Sequence, residues 1–285
     1  MPAEPGPAVR RRQLGRQLRD LRIGSGLKTI KAAADRTGLS TATISRIESA
    51  KQTITDKNVR LMCQAYGVGA PLLDTLLRLA RESDDRGWLL AYSDTVPDWF
   101  TRFVGEEADA SEIWNWEIDV VPGLLQTADY MRAIALASGS DVTESNVRTR
   151  IALRQARQEQ LASSDGARLI AIIGEGALRT IVGSRQIMRQ QIEQLIEATT
   201  RRANVTIHVL PFTAGAHPGV TSFAILHFAA DIGDPTVFVE VDGGALYPDR
   251  SSDFDRYAWM FERLRQQALS PEETISLLGN LAAEL

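Results

Sequence analysis

The sequence predicts a multidomain chain. An all-α five-helix domain over residues 1–82 is followed by a helical, aromatic linker over 83–112 and an α+β domain over 113–285. Three observations carry this reading. Apolar residues recur at helical spacing, punctuated by glycines, through the first 82 residues. Strand-like runs begin only after residue 112. Charge divides the same way: there are 16 Lys+Arg against 9 Asp+Glu up to Gly87, and 16 against 27 beyond it, with all four lysines in the first part. A basic head on an acidic body predicts that the head meets a polyanion and the body does not.

Composition narrows the function classes. At 44% hydrophobic and 24% charged, the chain reads as an ordinary globular protein. No apolar run approaches the ~18 residues of a membrane span, and the Pro-rich, basic N-terminus has no apolar stretch behind it, so a cytoplasmic protein is expected. A single cysteine, Cys63, excludes an intrachain disulfide and argues against a thiolate metal site.

The head elements follow in order. Leu14, Leu18, Leu21 and Ile23 mark a helix over 9–23, stopped by Gly24 and Gly26. Thr29 caps a second helix, Ile30 to Thr37, and Gly38 breaks it. Ser40 caps a third, Thr41 to Ser49; Thr55 or Asp56 caps a fourth, to about Tyr66; Pro71 opens a fifth, to about Glu82. The informative set is Ala34, Gly38 and Ile44. Two short helices crossing at a tight turn need a small residue at the contact, a left-handed turn residue and an apolar anchor on the buried face, with Ile47 one turn on. That is the constraint set of a helix-turn-helix whose second helix enters the DNA major groove.

The stretch "GLKTIKAAADRTGLSTATISRIESAK", with its "ISRIE" core at 44–48, resembles the XRE family of regulators, the Cro and cI phage-repressor type, over about 10–68. The resemblance implies a lambda-repressor-like fold and sequence-specific binding of double-stranded DNA by a homodimer on a palindrome. It implies base reading by Thr41, Ala42 and Arg46: an arginine can fork to guanine, and a methyl can meet thymine. Thr29, Lys31, Thr43, Ser45, Lys51, Gln52, Thr53 and Lys57 are then expected along the phosphates, which set affinity and salt dependence rather than sequence choice. It also implies a structural clamp between Arg22 and Glu48. Two departures stand out: Ile30 occupies a position where many relatives carry glutamine, and Ala50 one where many carry glycine.

Beyond the linker, whose Trp99 and Phe100 are expected to anchor it, residues 113–121 read as a strand with Trp114, Trp116 and Ile118 alternating. A turn at Pro122-Gly123 leads to a helix from about Thr127, and 142–161 reads as a long basic amphipathic helix carrying Arg148, Arg150, Arg154 and Arg157. Strands are expected at 168–173, 204–211, 221–228 and 236–241, with helices at 185–199, 251–267 and 271–283. The segments "VPGLLQT" (121–127), "NVTIHVLPFTAGAHPG" (204–219) and "LSPEET" (269–274) resemble the C-terminal domain of antitoxin-like actinobacterial regulators. That resemblance implies dimerisation or capture of a small partner protein encoded nearby, and so an alternative role as an antitoxin-like, autoregulating interaction protein.

Nothing in this half suggests an enzyme. His208, His217 and His227 lack metal-ligand spacing, Gly174-x-Gly176 lacks the rest of a phosphate loop, and no serine elbow is present. No catalytic residue, cofactor or metal is expected. The loop after Leu210-Pro211 is the one candidate for a ligand or partner, through Phe212, His217 and Phe223.

Overall fold

The computed structural model describes residues 7–50, 52, 54–83, 97–137, 139, 143–163, 166–229 and 234–285. The chain divides into two compact units, one of Met1–Ala91 with Ala229–Gly233 and one of Tyr92–Phe228 with Asp234–Leu285.

The first unit is helical: α1 (Pro7–Gly24), α2 (Ile30–Thr37), α3 (Thr41–Glu48), α4 (Asp56–Tyr66) and α5 (Ala70–Glu82). Local chemistry sets the ends. Thr29, Ser40 and Thr55 each accept the backbone N–H three residues on, satisfying a donor that the first helical turn leaves open. Gly38 ends α2 at φ 73 and Gly67 ends α4 at φ 74, both left-handed, where a side chain would be strained. The apolar stripes converge on one core, in which Leu14, Leu18, Ala33, Ile44, Ile47, Val59, Met62 and Leu76 are all 0% exposed.

The second unit is a six-stranded sheet in the order β3-β2-β1-β4-β5-β6, made of β1 (Glu112–Glu117), β2 (Arg168–Gly174), β3 (Val205–Leu210), β4 (Phe223–His227), β5 (Thr236–Val241) and β6 (Gly244–Leu246). The α+β expectation fits only its second half, where β1, β4, β5 and β6 pair antiparallel. In the other half, β1, β2 and β3 run parallel. Their crossovers pass through α7 (Ala128–Ala137) with α8 (Glu144–Leu161), and through α9 (Glu175–Arg179) with α10 (Arg185–Arg201). Helices α11 (Ser251–Gln267) and α12 (Pro271–Glu284) close the chain.

Alternation along β1 sorts the two faces. Trp114, Trp116 and Ile118 point toward α11, where Trp114 stacks on Phe261 at 4.9 Å between ring centres. The opposite face meets α6 (Asp98–Ala108), whose Phe103 stacks on Phe238 of β5 at 4.1 Å. Residues 98–108, read from sequence as linker, are therefore a helix on the sheet of the second unit. The free edge of β3 is occupied by the segment before α12 and by the first turn of that helix: Leu269 N–H donates to the Val209 carbonyl at 2.8 Å, and Thr274 Oγ1 of α12 accepts the Val209 N–H at 3.1 Å.

Candidate nucleic-acid interface

The α2–α3 pair crosses at the Gly38 turn, and α3 is amphipathic in a way that leaves one face unused by the fold. Ile44 and Ile47 are fully buried in the head core, whereas Thr41, Ala42, Ser45 and Arg46 are exposed. The Arg46 guanidinium has no partner among the described residues, so its five donors are open. Thr43 is half-buried. Its hydroxyl shares a 2.8 Å hydrogen bond with Ser40, and its N–H donates to Ser40 Oγ at 3.0 Å. Thr43 is thus engaged at the helix cap, which limits what its hydroxyl can offer a phosphate.

Thr29 and Lys31 are exposed at the start of α2, and Lys57 at the start of α4. Gln52 is half-buried between them in sequence, while Lys51 and Thr53 lie outside the described residues. Exposed cations thus sit at the N-terminal ends of two helices flanking α3, where backbone N–H groups also face outward.

Arg22 and Glu48 form the frame of the site. Arg22 Nε donates to Glu48 Oε1 at 2.6 Å and Nη2 to Oε2 at 2.9 Å, while Nη1 donates to the Leu27 carbonyl at 2.8 Å. Both side chains are about as buried as core residues, at 5% and 6% exposure. One guanidinium therefore ties the end of α1, the turn before α2 and the end of α3. The hydrogen bond to Glu48 raises the Arg22 pKa above its ordinary range. Beside the pair, burial, and then the Glu48 charge, push the Tyr66 phenol up to about 12.

Sequence reading missed Gly15. A Cβ there would lie 2.7 Å from the Ile47 carbonyl oxygen and 3.1 Å from that of Glu48, so α1 reaches the end of α3 only because residue 15 has no side chain. A glycine between Leu14 and Leu18, inside a helical stripe, was the available signal. The exit of α3 also departs from the usual chemistry: Ala50 holds φ 54, a left-handed backbone that favours glycine, with its methyl buried.

The loop candidate in the second unit does not form one surface. Phe212 is 66% exposed and its N–H donates to Glu175 Oε2 at 2.8 Å. His217 lies half-buried, edge-on to Trp116 at 5.6 Å between ring centres. Phe223 is a correction: it is 2% exposed in β4, packed against Tyr257 and Phe261, because the inward side of a central strand needs an apolar residue there.

A small, capped helix pair with one outward polar face defines a helix-turn-helix DNA-binding regulator, and residues 13–76 match a family described as a helix-turn-helix domain. Residues 100–280 match the domain of unknown function DUF5753; this is more than half of the chain, which belongs to that family. No curated protein and no solved structure matches the chain. No helix among the described residues is long and apolar enough to cross a membrane.

Proposed function

We propose that this regulator reads a short palindromic operator as a homodimer, with α3 in the major groove and Thr41, Ala42 and Arg46 at the base edges. The observation that carries the reading is the division of α3: Ile44 and Ile47 are fully buried, while Arg46 stands exposed without a partner. An arginine is the side chain suited to guanine O6 and N7. With one long base-reading residue, a single head discriminates weakly, and two heads about one helical turn apart multiply the selectivity. Lys31 and Lys57 supply phosphate contacts and the salt dependence. The protein acts by binding, without catalysis of its own.

Operator selection with purified protein, followed by titration of variants, tests this. Arg46→Ala should cost about 1–3 kcal/mol on the selected operator and relax preference at one base pair per half-site. Lys57→Ala should weaken all sequences alike and reduce the salt slope by about one. Equal losses on operator and random DNA for Arg46→Ala would remove it from the base-reading set. A monomer-sized complex on DNA would remove the dimer.

A further inference from the structure

The second unit holds a group of charges that DNA reading does not use. Glu117 ends β1. Carried one step past Trp116–Phe223, the β1–β4 register sets Ser222 beside it; carried two residues past Ala224–Phe238, the β4–β5 register sets Glu240 beside Ser222. The row Glu117, Ser222, Glu240 thus crosses the end of the sheet face that also carries Phe238. Helix α8, tied to α6 on this side of the sheet, carries Arg154 and Arg157 one turn apart.

These two arginines are treated differently. Arg157 is buried and forked onto Glu107 at 2.6 and 2.7 Å. Arg154 has one hydrogen-bond partner, Gln126 Oε1 at 2.5 Å, and among the described residues no carboxylate lies within 4.0 Å of it. Glu240, Glu107 and Glu117 nevertheless all act on its charge. Burial pushes Arg154 down to about 10 and Glu117 up to about 7. Opposite charges are therefore held close without touching, in a setting where each pays a desolvation penalty. A closed interior would bring them together as an ion pair. Here the interior is not closed: Arg154 and Glu117 are partly exposed and Glu240 is exposed, so all three are reachable from solvent.

The loop beside Arg154 is already packed against it. A Cβ at Gly123 would stand 3.1 Å from Arg154 Nη1, so the guanidinium already lies against the 120–127 loop. That loop is pinned throughout. Gln126 Nε2 donates to the Val121 carbonyl at 2.6 Å, Val121 N–H donates to Tyr130 Oη at 3.2 Å, and Thr127 N–H donates to Gln191 Oε1 at 2.7 Å.

The geometry points to a binding site for a small zwitterion of the free amino acid class, its carboxylate on Arg154 and its ammonium between Glu117 and Glu240. Such a ligand gives Arg154 a carboxylate and the two glutamates a cation, which Glu117 lacks although it accepts from Asn115 Nδ2 at 3.2 Å, and it adds no net charge. An anion alone would place a negative group beside Glu240, and a cation alone would leave Arg154 unpaired. The site stands at the C-terminal end of a parallel strand, a common location for ligands in sheets of this kind.

Isothermal titration of the full chain tests this, using each common amino acid in turn, with acetate and ethylamine as single-charge probes. At least one amino acid should bind saturably where acetate and ethylamine do not. Arg154→Gln should weaken that binding about thirtyfold, the loss expected when one member of a buried charge pair is removed. Glu240→Gln, at an exposed side chain, should weaken it severalfold and keeps the test intact if Arg154→Gln fails to fold, as circular dichroism would show. Absence of binding by every amino acid overturns the proposal. So does acetate binding as tightly as the amino acids, or binding that both substitutions leave unchanged.

Discussion

Both units bury an arginine–glutamate fork, and the two forks serve different ends. In the head, Arg22 and Glu48 are 26 residues apart and join three elements so that α3 presents a fixed polar face. In the body, Arg157 and Glu107 are 50 residues apart and tie α8 to α6 beside an arginine left without a carboxylate. The head uses its buried charge to hold a surface steady. The body uses one pair to satisfy itself and keeps a second set of charges apart. A paired buried charge is a structural device, whereas a desolvated charge kept from its neighbours costs the fold stability until something compensates it.

The largest effect separates the forks. Removing one partner leaves an uncompensated buried arginine, which costs about 3–5 kcal/mol. Glu48→Ala and Glu107→Ala should each lose that much in chemical denaturation, and in calorimetry each should lower the transition of its own unit. Replacing both members of the head pair, as Arg22→Met with Glu48→Leu, should recover much of the stability, since matched apolar groups carry no desolvation penalty. If Glu48→Ala and Glu107→Ala shift one and the same transition, the two units do not unfold separately and the contrast between them fails.

Smaller losses are expected at two glycines that let elements approach. At Gly15 a Cβ would meet the Ile47 carbonyl at 2.7 Å; at Gly219 it would meet Trp116 Nε1 at 2.5 Å and Leu264 Cδ1 at 2.9 Å. Neither site can give freely, because one obstacle is backbone and the other is a fully buried ring whose Nε1 donates to the Gly219 carbonyl at 3.2 Å. Alanine at either should cost about 1–3 kcal/mol by overpacking. Only Gly15→Ala should also weaken operator binding, because it displaces the end of α3. Loss of DNA affinity from Gly219→Ala beyond its stability cost would show that the body governs the head.

The same comparison explains what could be read in advance. The head is a set of local rules: caps at Thr29, Ser40 and Thr55, a left-handed Gly38, and stripes at helical spacing. Each is visible within a few residues. The body depends on contacts between distant segments. Arg148, Arg150, Arg154 and Arg157 look alike in sequence as the charges of a basic helix, yet the first two are exposed, Arg154 is partly exposed and Arg157 is buried. Glu107 lies in a stretch that reads as linker because helix α6 finds its partner, Phe238, more than a hundred residues later. The parallel half of the sheet was hidden for the same reason, since strand order depends on crossovers and not on alternation. One signal was available: with both faces of the central strand β1 covered, Asn115 and Glu117 are polar residues on a face that otherwise carries Ile113.

That signal leads to the smallest expected effect, which tests whether the body's charges are as costly as the contrast requires. Burial raises Glu117 from 4.5 to about 7. Glu240, Arg154 and the hydrogen bonds from Asn115 and Ser222 also face it. The folded chain therefore keeps this proton at pH values where the unfolded chain has lost it. The stabilisation is complete below the ordinary carboxyl range and is lost as pH rises through about 7. Glutamine at 117 stays neutral, so Glu117→Gln should gain on the wild type by about 1–2 kcal/mol as pH rises from 5 to 8, the shift being discounted for partial exposure. Denaturation midpoints at the two ends of that range would show it. Parallel wild-type and variant profiles would mean that Glu117 is well solvated and that its charge costs the fold little.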